Sequence, residues 1–211
     1  ENAYCPAPVC APSRFAYLTG VYPESAGPAQ HMRAVARLPA TIRGFPEYLR
    51  QAGYYTTNNS KTDYNAEIDM AATWDESSDT AHWRNRPAGA PFFAQFTSMT
   101  THESQLFAAP DGPTRPEEVR VPVLLPDTPT VRRDLARYHD RVAQMDAELA
   151  VRLAELEQDG LAEDTIVVFF SDNGGVLPFS KRFATEQGQR IPLVVKVPQR
   201  DEVICNANQS F

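Results

Sequence analysis

Near the start of the chain, Cys10-Ala11-Pro12-Ser13-Arg14 puts a thiol, a helix-starting proline and a cation within about one turn. A cysteine at the entry to a helix lies where the positive end of the helix dipole favours an anion. Arg14 on the first turn can fold back onto the same point. These features make Cys10 a candidate activated nucleophile; a buried structural cysteine is the other reading. Cys5 lacks this context and reads as structural. A second segment, Ser171-Asp172-Asn173-Gly174-Gly175, sets two hard oxygen donors side by side, suited to Ca²⁺ or Mg²⁺. Asp-Asn-Gly is also an ordinary turn. Lys181 and Arg182 follow. They either bring cations to an anion bound at that metal or form a solvated basic pair.

The elements around these residues must position them. Pro12 and Ser13 open a short helix through Phe15, Leu18 and Thr19, which Gly20 stops. A second helix is expected over 45–52, ending at Gly53, with a strand over 54–57. Residues 66–89 are polar and read as a surface excursion, 91–97 as a buried strand, and the proline-rich stretch 108–130 as an extended connection. From about Val131 to Asp159, Leu135, Tyr138, Val142, Met145, Leu149, Leu153 and Leu156 form one apolar helical stripe, closed by Gly160. The runs 165–170 and 191–197 are continuously apolar. Such strands around an amphipathic helix predict an α/β fold, its sheet covered on both faces. Ligand sites in such sheets gather beyond the carboxyl ends of strands, and Ser171–Gly175 directly follows one.

Composition narrows the field. The 211 residues are 42% apolar, enough for one sizeable α/β domain or a large part of one. Net charge is −7, with no Lys/Arg-rich block, which argues against a nucleic-acid surface. No apolar run is long enough to span a bilayer. Three cysteines (Cys5, Cys10, Cys205) do not make a disulfide framework or a zinc cage. The chain opens Glu1-Asn2-Ala3 and ends in a tail that closes no recognisable element, so it reads as a piece of a longer protein.

Pro8-Val9-Cys10-Ala11-Pro12-Ser13-Arg14, followed by Leu18-Thr19-Gly20, resembles the signature of the type I, formylglycine-dependent sulfatases of the alkaline-phosphatase-like superfamily. Tyr17 is a small departure from it. Gly53-Tyr54-Tyr55-Thr56-Thr57 with Ser60-Lys61, Thr100-Thr101-His102-Glu103-Ser104, Phe170–Gly174 through Lys181, and Arg190-Ile191-Pro192-Leu193 fall in that family's order. The resemblance spans residues 1 to about 198. It implies a central, mostly parallel sheet with helices on both faces, truncated here at both ends. The 211 residues would be part of the catalytic domain, without its first strand and C-terminal subdomain. It implies further that Cys10 is oxidised to formylglycine, whose hydrated form attacks sulfur. Arg14 would hold that group. Lys61, His102 and Lys181 would contact the sulfate or the leaving oxygen. Asp172 and Asn173 would bind Ca²⁺, with Mg²⁺ as the alternative. On local sequence alone Lys61 and Lys181 are equally surface lysines, and His102 a core histidine.

Two departures stand out. The paired aspartates that the family carries before its nucleophile are absent from the nine residues preceding Cys10, which predicts that this chain by itself is inactive or nearly so. Where many sulfatases have Lys-x-His, this chain has Lys61-Thr62-Asp63. That pattern, with Thr-Thr-His-Glu-Ser, is similar to a heparan N-sulfatase-like branch. The expected activity is sulfuric ester hydrolysis. The rivals are a phosphonate or phosphate monoester hydrolase of the same superfamily and a non-catalytic remnant. Expected partners are a sulfated small molecule or glycan and a formylglycine-generating or anaerobic maturation enzyme. Family habit points to a periplasmic, secreted or lysosomal location.

Overall fold

A computed structural model describes residues 2–198. Its elements run β1 (Ala3–Tyr4), α1 (Cys10–Thr19), α2 (Phe45–Gln51), β2 (Tyr55–Asn59), α3 (Met70–Thr73), β3 (Glu76–Ser77), β4 (Phe92–Phe96), α4 (Glu103–Phe107), α5 (Pro129–Gln158), β5 (Val167–Phe170), α6 (Glu186–Gln189), β6 (Arg190–Ile191) and β7 (Leu193–Lys196). Helices and strands thus alternate, as the sequence predicts for an α/β fold. The described strands form three separate sheets: parallel β3-β2-β4, antiparallel β5-β7, and the short antiparallel pair β1-β6. No helix among the described residues is long and apolar enough to cross a membrane.

Helix α1 organises the centre. It starts at Cys10 and ends on Gly20, whose φ of 70° closes the helix in the left-handed conformation open to glycine. Phe15 and Leu18 are fully buried and feed separate apolar clusters, Phe15 with Ala29 and Ala36, Leu18 with Tyr64 and Trp74. Each such side chain contributes about 1.5–3 kcal/mol through burial. Tyr17 packs against the Leu18 cluster and also meets the Phe170 ring edge-on at 5.5 Å, so α1 packs against the end of β5.

Three expectations need correction. Residues 66–89 are no surface excursion: Thr73, Trp74, Ala81 and Trp83 are buried, and β3 pairs with β2. The local composition there is polar, but each large ring finds an apolar neighbour across the sheet, Trp74 on Phe93 and Trp83 on Phe92 and Phe96. The 91–97 strand is only half-buried along β4, because β2 is its one strand partner among the described residues. Among the described residues the apolar runs of β5 and β7 pair only with each other, and Val168, Phe170, Leu193, Val194 and Val195 stay exposed instead of lying inside a covered sheet.

Candidate active site

The chain entering α1 is fixed by the far end of the sequence. Pairing of β1 with β6, Cys5 N–H donating to Gln189 O at 2.8 Å, and Arg182 N–H donating to Pro8 O at 2.7 Å clamp residues 3–8 in place. Cys10 becomes the first helical residue, and its Sγ lies 3.3 Å from Asn173 Oδ1. Both residues are buried. Burial pushes the thiol of Cys5 up to about 11, and Cys5 Sγ faces only Gly188 O at 3.8 Å, in keeping with a structural role. Two glycines allow the loops to close around Cys10. A Cβ on Gly174 would stand 1.9 Å from Gln187 O, and one on Gly188 would stand 2.0 Å from Phe183 O.

Arg14 lies one turn after Cys10, on the same helix face. Its side chain is 4% exposed and donates to Thr62 O at 3.0 Å and Lys61 O at 2.6 Å. The Tyr17 and Tyr64 rings lie 5.3 and 5.6 Å from the guanidinium carbon, within cation–π range. Arg14 therefore ties α1 to the loop after β2, and this is how Lys61 is placed. Asp172 Oδ2 is 4.0 Å from Arg14 and 3.9 Å from Lys61, while Lys61 is also 3.8 Å from Asp63 Oδ2. These are charge pairs without a hydrogen bond, so both cations keep donors free for another anion.

The remaining predicted residues come from two further loops. His102 caps α4: its Nδ1 accepts from the Ser104 N–H at 3.3 Å and lies 2.8 Å from the Ser104 hydroxyl. Burial, then the charges of Lys181 and Lys61, lower its pKa, so the ring is neutral at pH 7. With Nδ1 accepting, Nε2 carries the proton and can donate it. Glu148 on α5 accepts from the hydroxyls of Ser98 and Thr100 and so anchors the loop leading to His102. Lys181 is buried, with its ammonium 3.8 Å from Glu103 Oε2. Glu103 also takes a two-pronged bond from Arg182 at 2.6 and 2.9 Å, and that bond lowers the Glu103 pKa. Sequence reasoning quoted Glu103 inside its motif but gave it no role. The signal that marks it, a carboxylate answering two cations seventy-eight and seventy-nine residues away, exists only in three dimensions.

Cys10 and Arg14 from α1, Lys61 from the loop after β2, His102 from the loop after β4, and Asp172, Asn173 and Lys181 from the loops after β5 thus form one linked cluster. As metal ligands, Asp172 and Asn173 would offer two side-chain oxygens, against the six to eight that Ca²⁺ takes. Among the described residues no group of three or more His, Cys, Asp or Glu is placed to hold a metal ion. The residues present therefore do not fit a complete calcium site.

The sulfatase family profile matches residues 1–87 and 57–209. The chain belongs to the sulfatase family. Among curated proteins, this sulfatase chain is 36% identical to an ulvan-active sulfatase of Formosa agariphila, over 95% of the chain and 42% of that protein. It is 27% identical to the N-sulphoglucosamine sulphohydrolase of Homo sapiens, over 94% of the chain and 48% of that protein. The chain thus spans somewhat under half the length of these relatives. Among solved structures, BT4656 in complex with its substrate D-glucosamine-2-N,6-O-disulfate superposes with a TM-score of 0.65, at 17% identity, covering 94% of this chain and 63% of that one. The fold is that of the alkaline-phosphatase-like sulfatases.

Proposed function

We propose that the full polypeptide hydrolyses sulfate monoesters on a sulfated glycan, with Cys10, matured to formylglycine, as the nucleophilic position. The observation that carries this reading is the convergence of Cys10, Arg14, Lys61, His102 and Lys181 around Asp172 and Asn173 from segments far apart in sequence. A sulfate monoester repels anions, and charge gathers on the leaving oxygen as its bond to sulfur breaks. Fixed cations and a proton donor meet both needs without solvent reorganisation. Formylglycine would supply a hydrated aldehyde, one hydroxyl of which attacks sulfur while the other later expels sulfate. Around it, Arg14 holds the nucleophilic position electrostatically, Lys61 and Lys181 neutralise sulfate oxygens, and neutral His102 donates from Nε2 to the leaving oxygen. Asp63, 3.8 Å from Lys61, balances the charge of that lysine.

Asp172 and Asn173 are proposed as two ligands of a divalent cation, Ca²⁺ or Mg²⁺, whose other ligands come from outside the described residues. The open edges of β4 and β5 support the same view of the domain. On this view the 211 residues are part of a catalytic domain whose remaining strands, and a C-terminal subdomain, belong to the rest of the polypeptide. The glycan assignment rests on the similarity to an ulvan-active sulfatase and to BT4656 with its sulfated glucosamine, and the maturation enzyme on the intact Cys-Ala-Pro-Ser-Arg.

The test compares the full-length protein with its Cys10→Ala variant on an aryl sulfate and an aryl phosphate. Sulfate turnover that falls at least a thousandfold in Cys10→Ala, with phosphate the poorer substrate, is expected. Unchanged turnover rejects the nucleophile, and faster phosphate cleavage rejects the sulfatase reading. The isolated 211-residue chain is expected to be nearly inactive.

A further inference from the structure

The loop 177–183 holds its backbone in an unusual shape. Phe179 and Arg182 both have positive φ, 65° and 75°, a region that bulky side chains rarely enter. Such conformations persist where the surroundings over-determine them, and they cluster at ligand clamps. Here the surroundings are specific. Thr185 Oγ1 donates to Phe179 O at 2.6 Å, Lys181 N–H to Gly175 O at 2.9 Å, Arg182 N–H to Pro8 O at 2.7 Å, and Phe183 N–H to Ser180 O at 3.0 Å.

What this shape delivers is a division of side chains. Ser180 and Lys181 turn inward and are buried, Lys181 into the cluster described above. Phe179 and Phe183 turn outward, 45% and 49% exposed, with ring centroids 5.9 Å apart and planes tilted by 56°. Arg182 lies between them in sequence, half-exposed, and spends two of its five N–H donors on Glu103. Two phenyl rings and a guanidinium with donors to spare thus share one loop with Lys181 of the cluster, next to the chain that leads into Cys10. An exposed apolar pair at the rim of a charged site marks a place where a ligand with one apolar face and anionic substituents rests. A sulfated pyranose has both: a face of C–H groups for the rings, and acidic groups for Arg182.

We infer that Phe179 and Phe183 form a sugar-stacking subsite, with Arg182 reading an anionic substituent on the stacked ring or its neighbour. This deepens the proposed function and rests on it for the class of ligand, but its test reads binding and not turnover.

The experiment uses the full-length protein carrying Cys10→Ala to prevent turnover. Affinities are measured by calorimetry for ulvan oligosaccharides, for D-glucosamine-2-N,6-O-disulfate and for inorganic sulfate, which has no ring to stack. Phe179→Ala/Phe183→Ala is expected to weaken binding of the best sugar about tenfold and to leave its ratio to sulfate correspondingly lower. Phe179→Trp/Phe183→Trp, which keeps the ring faces, is expected to restore sugar binding to within about threefold. Equal weakening of sugar and sulfate overturns the subsite, because the loop as a whole is then damaged. Unchanged sugar affinity overturns it as well. So does a loss of thermal stability in the Ala variant without loss of affinity, which would make the rings a face covered by the rest of the polypeptide. A parent protein that binds no sugar better than sulfate also rejects it. Sugar that binds with this dependence but is never hydrolysed supports the subsite and counts against the proposed reaction alone.

Discussion

Strand β2 and the pair β5-β7 invert the usual relation between polarity and burial. The β2 residues Thr56, Thr57 and Asn58 are fully buried, whereas the apolar Val168, Phe170, Val194 and Val195 of β5 and β7 are largely exposed. The difference lies in partners. In β2, Thr56 Oγ1 donates to Thr73 O at 3.0 Å, and the Asn58 amide donates to Ser77 at 3.0 Å and accepts from Gln95 at 2.8 Å. Helix α3 supplies the Thr56 bond and strands β3 and β4 the Asn58 bonds, so these two side chains are buried at little net cost, whereas Thr57 Oγ1 makes no hydrogen bond among the described residues. The β5-β7 pair has apolar side chains suited to burial, yet apart from the contact of Tyr17 with Phe170 much of its surface stays exposed. Satisfied hydrogen bonds, more than hydropathy, decide where a polar strand can lie. Apolar sequence decides where a strand would gain from being covered.

The largest expected effect tests the buried half of that comparison. Asn58→Ala removes a fully buried amide together with its bonds to Ser77 and Gln95 and is expected to cost about 2 kcal/mol in urea unfolding. A cost below about 0.5 kcal/mol would mean that β2 is not held by its polar partners. Acid is expected to act next, on both halves. His82, stacked on Trp83 and Phe96 beside β4, and His102 near Lys181 both have lowered pKa values, burial being the main cause. Below pH 6.5 the unfolded chain takes up protons on these rings before the folded chain does, so stability falls as pH drops through that value. Glu103, lowered by Arg182, adds a loss below its ordinary value of 4.5. Urea midpoints at pH 7.5, 6.0 and 5.0 should decline in that order, and His82→Gln should flatten the upper part of the slope. A midpoint that holds steady from 7.5 to 5.0 contradicts the assignment. The smallest effect belongs to the exposed half: Val194→Thr is expected to change the stability of the 211-residue chain by less than about 0.5 kcal/mol. In the full-length protein the same change should cost more than about 1 kcal/mol if the remaining strands cover β7. Equal effects in the two proteins would show that nothing covers it.

How much of this was legible in the sequence differs from element to element. The start of α1 lies at Cys10, two residues before the Pro12 expected to open it, but its stop at Gly20 follows from a local rule. The long helix α5 was equally plain, from its stripe of leucines and its glycine stop. Convergence of Lys61, His102, Lys181 and Asp172 is not a local property. It could be expected only through the family order of motifs, and the distances now bear out their nearness without testing their roles. Burial of Trp74 and Trp83 and of polar β2 was missed because it depends on which surfaces meet, and hydropathy averaged along a segment carries no record of that. Glu103 escaped for the same reason: nothing in Thr-Thr-His-Glu-Ser says that two cations far along the chain will close on it.

The burial of Cys10 also sets an order of events. In the folded chain its side chain is enclosed by the first turn of α1 and held against Asn173, a residue 163 positions later. An enzyme acting on Cys10 as proposed would have to reach a thiol that the folded chain buries. Helical turns form within about a microsecond, but contacts between such distant parts of a chain close over milliseconds to seconds. If Cys10 is matured as proposed, that step would fall after Cys10 has emerged and before residues 171–182 arrive to cover it. The speed of synthesis and folding, as much as the motif itself, would then govern what fraction of molecules becomes active.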